Sequence, residues 1–191
     1  MKTKILVSVI ALLFIIVGNA FAVPFDYAGS PEENVDTYDK TLLYLNVTDT
    51  GTISDLNVSL MVSDPFVDDL YIRLYHAGTM GTKFNYLYLG GRDDISESFI
   101  DANFDDQASS NYPTGAVYGT FKPYSPLSVF NGDDLSGTWI LALWDTYVPD
   151  NGNDVLYWSI SGTTEAVPEP STMLLLGLGL LGVATVRRKI K

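Results

Sequence analysis

Between residues 41 and 160 the chain alternates apolar and polar positions in short runs, most clearly over 56–62 and 70–74. An apolar side chain at every second position is typical of a β-strand with one buried face. Turns containing Gly, Pro, Asn or Asp separate runs that are rich in β-branched and aromatic residues. The predicted strands are Thr41–Val47, Ile53–Met61, Leu70–Tyr75, Phe84–Leu89, Val117–Phe121, Trp139–Trp144 and Leu156–Ile160.

These strands predict an all-β fold, because the middle of the chain carries no sustained helical stripe. Short strands at this spacing are typical of a β-sandwich or a jelly roll. Residues 23–37 are polar and acidic, and we expect an irregular N-terminal arm there. What remains between the two ends of the chain is enough for one domain with its own core.

The N-terminus predicts a secretory signal peptide over residues 1–22. Lys2 and Lys4 precede an apolar run from Ile5 to Val17. Ala20 and Ala22 then form a small-residue cleavage site of the A-x-A type. We therefore expect signal peptidase to cut after Ala22 and leave Val23 as the mature N-terminus.

The C-terminus combines three elements in a fixed order. A linker over 163–172 contains Val167, Pro168, Glu169 and Pro170, an apolar segment covers 173–186, and a basic end follows. A helix of about 14 residues is some 21 Å long, which is short for a membrane span. Basic residues stop transfer on the cytoplasmic side; here they are Arg187, Arg188 and Lys189.

This order resembles the PEP-CTERM sorting signal of Gram-negative bacteria. The resemblance implies recognition by exosortase, a membrane-embedded transpeptidase, through an inner-membrane intermediate. It also implies final placement at the cell surface or in the extracellular matrix, in association with exopolysaccharide and biofilm. The alternative is a plain C-terminal membrane anchor, in which 173–186 is a transmembrane helix.

Charge narrows the range of partners. Without the two ends, five basic residues face 22 acidic ones, so the domain carries about −17. A nucleic acid or an anionic membrane would require Lys and Arg instead. The chain contains no cysteine, so neither a disulfide nor a thiolate site is available.

A second resemblance covers residues 38–162. Its most specific pieces are Gly137-Thr138-Trp139 and Trp158-Ser159-Ile160, preceded by Gly51-Thr52-Ile53 and by Asp68-Asp69-Leu70. Their order resembles the P domain, or Homo B domain, of kexin- and furin-like proprotein convertases. The resemblance implies a jelly-roll-like β-sandwich of about eight strands that supports a separate subtilisin-like protease. The family's His-Thr after the second strand is replaced here by Val62-Ser63-Asp64.

Catalysis by this chain alone is not predicted. A Ser-His-Asp triad requires a histidine base beside its nucleophile, and the chain has one histidine, His76. No serine lies in a Gly-x-Ser-x-Gly elbow, and His76 reads as a solvated residue of the hairpin after Leu74. Sequence-adjacent carboxylates in loops do not supply the spaced pair of a glycosidase.

Structural calcium is the cofactor that the sequence favours, because Ca²⁺ binds six to eight oxygen ligands. The connection after Trp144 offers one group of such ligands: Asp145, Asp150, Asn151, Asn153 and Asp154. A second candidate group is Asp64, Asp68 and Asp69. Ordinary turn chemistry accounts for the same residues, since Asp, Asn and Gly dominate turns.

Tyrosines offer a third kind of site, since their rings could stack on the sugars of an exopolysaccharide. The candidates are Tyr86, Tyr88, Tyr112, Tyr118 and Tyr124. The alternative is packing at the rim of the sandwich with the hydroxyl in water. We expect Trp139 and Trp158 in the core. The sequence thus leaves three classes open: a non-catalytic exported module, an accessory domain of a protease, and a carbohydrate-binding protein.

Overall fold

The computed structural model describes residues 22–30, 32–35, 40–64, 67, 70–78, 81–89, 99–111, 117–145 and 153–166, together with Gly177 and Gly179. Residues Val23–Glu165 form one compact unit. Its described elements are ten strands and one 3₁₀ turn. They are β1 Val23–Ala28, β2 Glu32–Val35, β3 Thr41–Val47, β4 Ile53–Ser63, β5 Leu70–Gly78, β6 Gly81–Leu89, β7 Phe99–Asp105, β8 Val117–Phe121, the turn Leu127–Phe130, β9 Gly137–Asp145 and β10 Asn153–Thr164.

The strands form two sheets, which confirms the all-β sandwich. A six-stranded sheet has the order β1-β10-β4-β7-β8, with β2 also pairing with β10. A four-stranded sheet has the order β3-β9-β5-β6. All pairs are antiparallel except β7 with β8. Most neighbours in the sheets are therefore distant in sequence.

The core lies between the sheets and follows from the alternation in the sequence. Val58, Leu60 and Val62 of β4 are at most 1% exposed. Burying each such side chain contributes about 1.5–3 kcal/mol. Trp139 and Trp158 are both fully buried, as expected. The Trp139 indole nitrogen donates to the Leu135 carbonyl at 3.0 Å, so its polar atom is satisfied inside the core.

Residues 23–37, expected to form an irregular arm, instead contribute two strands. β1 pairs with β10 from Val23↔Thr164 to Ala28↔Ser159, and Phe25 is buried in the core. The next residues are held by Trp158: its carbonyl accepts from Gly29 N at 3.0 Å, and its indole donates to the Ser30 carbonyl at 3.1 Å. The irregular-arm prediction was wrong because these pairings are long-range.

The strand β7 was also missed by the sequence analysis. Its side chains alternate, with Ile100, Ala102 and Phe104 buried. Aspartate and asparagine occupy positions between them, so composition disguises the strand. Gly162 lies between two neighbouring strands at φ +156°, and a Cβ there would overlap the Asp55 carbonyl. Only glycine suits this position of β10.

The segment expected to form a hydrophobic helix, 173–186, lies outside the described residues except for Gly177 and Gly179, which are helical. Within the described part of the chain, no helix is long and apolar enough to cross a membrane.

Candidate functional site: an aromatic face with two cations

The outer surface of the four-stranded sheet carries a connected set of aromatic side chains. Tyr71 of β5 lies opposite Trp144 of β9, and their rings stack with centroids 5.8 Å apart. Further along β5, Tyr75 lies opposite Phe84 of β6, with centroids 5.7 Å apart. Tyr86 then contacts Phe84 at 5.9 Å and Tyr124 at 6.4 Å. We call this set, with two cations beside it, the aromatic face: Lys40, Tyr71, Arg73, Tyr75, Phe84, Tyr86, Tyr124 and Trp144.

Strand alternation explains why these residues share one surface. In β5 the even-numbered Leu70, Ile72 and Leu74 point into the core. The odd-numbered residues between them therefore point outward, and their cross-strand partners share that side. A bulge in β6 adds one residue between the partners of Ile72 and Arg73. It turns both Leu87 and Tyr88 into the core.

Arg73 lies in the middle of the aromatic face. Its guanidinium carbon is 4.0 Å from the Tyr86 ring centroid, 4.5 Å from that of Trp144 and 5.6 Å from that of Phe84. It donates to the Tyr86 hydroxyl, and to the Tyr75 hydroxyl at 3.3 Å. Cation–π contacts of this kind stabilise by about 0.5–2 kcal/mol each. The arginine therefore holds the surrounding rings in a fixed arrangement.

Lys40 is the second cation of this surface. Its ammonium lies 4.6 Å from the Tyr75 ring centroid and 5.5 Å from that of Trp144, and it donates to the Tyr75 hydroxyl at 3.1 Å. Partial burial acts to raise the pKa of this hydroxyl. The hydrogen bonds and positive charges of Arg73 and Lys40 outweigh that effect and lower the pKa of Tyr75.

The described outward positions of this sheet contain no acidic side chain. On β3 they are Leu42, Tyr44 and Asn46, and on β9 they are Thr138, Ile140, Ala142 and Trp144. On β5 and β6 they are Tyr71, Arg73, Tyr75, Ala77, Thr82, Phe84 and Tyr86. Among the residues that the structure describes, neither Lys40 nor Arg73 forms an ion pair, whereas Lys83 pairs with Asp133 at 2.6 Å. Although the domain carries about −17, the described residues of this surface therefore include two cations and no acid.

His76 is not a solvated turn residue, and that interpretation was wrong. It belongs to β5, is 2% exposed, and stacks on Trp139 with centroids 4.0 Å apart. Its Nε2 lies 3.2 Å from the Ser136 carbonyl oxygen. Burial lowers the pKa of His76. The only histidine of the chain therefore fills a core position and faces a backbone carbonyl rather than a serine hydroxyl.

Gly137 makes room for this ring. Its φ is +135°, and a Cβ there would lie 3.0 Å from His76 Nε2 and 2.8 Å from the Ala77 carbonyl oxygen. The glycine of the Gly-Thr-Trp piece is thus required by the close packing of β5 on β9.

The candidate calcium ligands fall largely outside the described residues, as is the case for Asp68, Asp69, Asp150 and Asn151. The backbone of Asn153 begins β10, and that of Asp145 ends β9 opposite Leu70. Asp64 is 1% exposed at the end of β4, and Asp154 pairs with the neighbouring Ser63. In the described part of the chain, no three His, Asp or Glu side chains are close enough together to hold a metal ion.

The sorting residues cannot be placed in the fold. Val167, Pro168, Glu169, Pro170, Arg187, Arg188 and Lys189 lie outside the described residues, as does Ala20. Ala22 is exposed and precedes β1.

The tyrosine candidates divide among several places. Tyr86 and Tyr124 belong to the aromatic face, and Tyr88 is buried. Tyr118 is 53% exposed on β8 of the other sheet, where it stacks on Phe99. Tyr112 is outside the described residues. Sequence reasoning did not find Tyr71, Tyr75 and Trp144 as a set, because only strand pairing brings them together; the alternation of Tyr71, Arg73 and Tyr75 was the available signal.

Residues 166–189 match the model of the PEP-CTERM protein-sorting motif. This motif implies export and processing by exosortase, a membrane enzyme. A comparison with curated proteins found no match to this chain.

Two solved structures from Aeromonas sobria are similar to this chain at low identity. One is the serine protease in complex with its chaperone, with 12% identity and a TM-score of 0.47 over 82% of this chain and 30% of that one. The other is the serine protease itself, with 12% identity and a TM-score of 0.44 over 81% of this chain and 29% of that one. This chain thus spans about a third of their length. At these values neither structure informs the activity of this chain.

Proposed function

We propose that this chain is an exported, non-catalytic β-sandwich that exosortase sorts to the cell surface or extracellular matrix, where the domain associates with matrix polysaccharide. The observation that carries the proposal is the sorting motif at residues 166–189. It agrees with the signal peptide expected at the other end of the chain. On this proposal, signal peptidase and exosortase are processing partners, and the inner membrane is occupied only in transit.

The absence of a catalytic role is supported by His76. A Ser-His-Asp mechanism needs an imidazole that exchanges a proton with a nucleophile at the surface of a site. Here the one histidine of the chain is 2% exposed and stacked on Trp139. A serine-protease activity would therefore belong to a partner and not to this domain.

The second candidate function is that of an accessory domain for a separate subtilisin-like protease. The pieces Gly137-Thr138-Trp139 and Trp158-Ser159-Ile160 favour it through their resemblance to the P domain. Both tryptophans are core residues, so these pieces support a shared fold more directly than a shared partner. Recovery of a subtilisin-like protein with the tagged domain from its own organism would favour this candidate.

The proposal is tested by locating the protein in cells. A Gram-negative host with exosortase should place the chain at its surface or outside it. Replacement of Pro168, Glu169 and Pro170 by alanine should leave it in the membrane fraction as a longer form, because the recognition motif is lost while the apolar segment remains. A matched control replaces Ser161, Thr163 and Glu165 by alanine, upstream of the motif. Equal location of the wild type and the motif variant would contradict sorting by this signal.

A further inference from the structure

We propose that the aromatic face binds an acidic polysaccharide, with sugar rings stacking on its exposed aromatic side chains and carboxylates pairing with Lys40 and Arg73. The inference rests on the proposed function, since it names the surface and the ligand class for an association with matrix polysaccharide.

The residues that can stack on sugar rings are the exposed aromatic side chains of the aromatic face. Phe84 is 50% exposed and Tyr124 is 56% exposed, while Tyr86 between them contacts both rings. Aromatic faces carry partial negative charge, and the C–H bonds on one side of a pyranose ring are weakly positive and apolar. Flat rings in water at the outside of a sheet are therefore suited to sugars.

The size of the surface favours a polysaccharide over a single sugar as the ligand. The face crosses β9, β5 and β6, so it is about 10 Å wide at the usual strand spacing. From Tyr71 to Tyr75 it runs about 13 Å along β5. A surface of this size is longer than one sugar ring.

The charge of the surface favours an acidic sugar over a neutral one. Lys40 and Arg73 form no ion pair with a described carboxylate, and the described outward positions of the sheet hold no acid. Lys40 is an exposed residue, and the guanidinium of Arg73 lies among three rings. A guanidinium held in this way is pre-organised for a carboxylate.

The acidity of the whole domain sets the conditions for binding. At about −17 the domain repels a polyanion at long range. At physiological ionic strength the screening length is about 8 Å, so the local cations dominate at the face itself. We therefore expect binding that persists at about 0.15 M salt, unlike that of a basic protein bound only by charge.

Two other occupants are less compatible with this surface. In a symmetric dimer the same patch would face itself, which would bring Lys40 and Arg73 of both copies together without anions. A nucleic acid would meet two cations on a strongly acidic domain. The dimer is distinguished by light scattering, and a nucleic acid by adding duplex DNA as a further probe in the native gels.

The experiment measures retardation of the exported protein in native gels that contain a polysaccharide. Polygalacturonate is compared with its fully methyl-esterified form, which has the same backbone without charge; alginate is a second acidic probe and dextran an unrelated neutral one. We expect retardation by the two acidic polymers and little by the ester or dextran. Equal retardation by polygalacturonate and by its methyl ester would overturn the inference that the ligand is acidic. No retardation by polygalacturonate or alginate would overturn the whole proposal.

Variants locate the binding surface. Phe84→Ala and Tyr124→Ala change exposed side chains and should each weaken binding about two- to tenfold. Lys40→Gln should weaken binding to polygalacturonate by a similar factor and leave any residual retardation by the ester unchanged. Tyr118→Ala is the matched control, since Tyr118 is equally exposed on the other sheet. Equal affinity of wild type and the Phe84→Ala, Tyr124→Ala double variant would place binding elsewhere and overturn the proposal.

Two further readouts separate the causes of failure. Thermal melting of each variant tests whether the fold is retained. In a variant that melts like the wild type, a loss of binding is assigned to the surface. Light scattering gives the oligomeric state, and a dimer that Phe84→Ala converts to a monomer would make this face a self-interface and overturn the proposal. Correct surface location without polysaccharide binding would refute this inference alone, while retention inside the cell would refute the proposed function.

Discussion

At the scale of single residues, His76 shows how the core accommodates a titratable group. Its ring stacks on Trp139 and meets the edge of Phe130 at a centroid distance of 6.4 Å. Nε2 lies 3.2 Å from the Ser136 carbonyl oxygen, which places the proton of the neutral ring on that nitrogen. The ring is thus suited to the neutral form, and a second proton would add a charge to the core.

We predict that protonation of His76 makes the domain less stable in mildly acidic solution. Burial holds the native pKa below its ordinary value of 6.5, against the opposing effects of the Ser136 carbonyl, Asp133 and Asp134; nearby Lys83 acts in the same direction as burial. The unfolded chain therefore takes up a proton at a higher pH than the native one. Stability is complete above about pH 6.5 and falls as the pH decreases below it, by at most about 1.36 kcal/mol per pH unit.

Urea unfolding between pH 8 and pH 5 measures the slope of the free energy of unfolding against pH. His76→Phe should flatten it, although its overall stability is lower because the bond to Ser136 is lost. Asp134→Asn is a second probe: the Asp134 charge raises the pKa of His76, so its loss should deepen the fall in stability toward pH 5. Ser136 hydrogen bonds lower the pKa of Asp134 itself from 3.8, so titration of this carboxylate affects stability only at lower pH. An unchanged slope in His76→Phe would mean that another group is responsible.

The same residue marks a limit of sequence reasoning. The hairpin between β5 and β6 was placed too early, before His76, because Gly78 and Gly81 were the visible turn signals. In the structure the pairing of β5 with β6 continues to Gly78↔Gly81, so His76 remains in the strand. Element boundaries depend on where pairing stops, and the local sequence does not state this.

At the scale of elements, alternation was sufficient for several strands with one apolar side, although β7, which also alternates, was missed. β3 and β8 have the predicted bounds, and β4 extends only two residues further, to Ser63. β1 and β2 were missed because their places depend on β10, which lies at the far end of the chain. The aromatic face was missed for the same reason, since its rings come from strands that meet only through pairing.

Strand pairing also brings the described members of the two candidate calcium groups, Asp64, Asp154 and the backbone of Asp145, to one end of the sandwich. Asp154, the second residue of β10, lies opposite Ser63 at the end of β4, and Asp64 follows Ser63 in the chain. Asp145 ends β9 opposite Leu70, the first residue of β5. β4 and β9 therefore end, and β5 and β10 begin, at the same end of the sandwich, although these strand ends are far apart in sequence.

We predict that Ca²⁺ raises the melting temperature of the domain. An ion that binds only the native state at about a hundred times its dissociation constant stabilises by about 2.7 kcal/mol. Melting in EDTA and in millimolar Ca²⁺, with Mg²⁺ as the control ion, measures the shift. Asp150→Asn together with Asp154→Asn should reduce it. Equal melting temperatures in EDTA and Ca²⁺ would leave these residues as ordinary turns, and a shift that survives the double variant would favour Asp64, Asp68 and Asp69.

At the scale of the whole molecule, charge separates the domain from the two ends of the chain. Six of the 11 basic residues lie in the expected signal peptide and tail, whereas 22 of the 23 acidic residues lie between them. Basic ends suit segments that meet an anionic inner membrane. The domain itself carries a large net negative charge, which favours solubility. Removal of both ends would therefore also change how the protein interacts with membranes.

We predict that the mature protein lacks both ends. Signal peptidase should cut after Ala22, and exosortase should cut near Pro168 to Ser171, within the matched motif. The structure supports a domain that is complete without them, because Val23–Glu165 forms one compact unit and β1 begins at Val23. Intact-mass measurement of the exported protein should find a chain that begins at Val23 and lacks residues 173–191.

Deletion of Met173–Lys191 should release an otherwise unprocessed C-terminus into the periplasm or medium, because the apolar segment no longer holds it. A steady-state mass that still includes residues 173–191 would mean that the tail acts as an anchor instead.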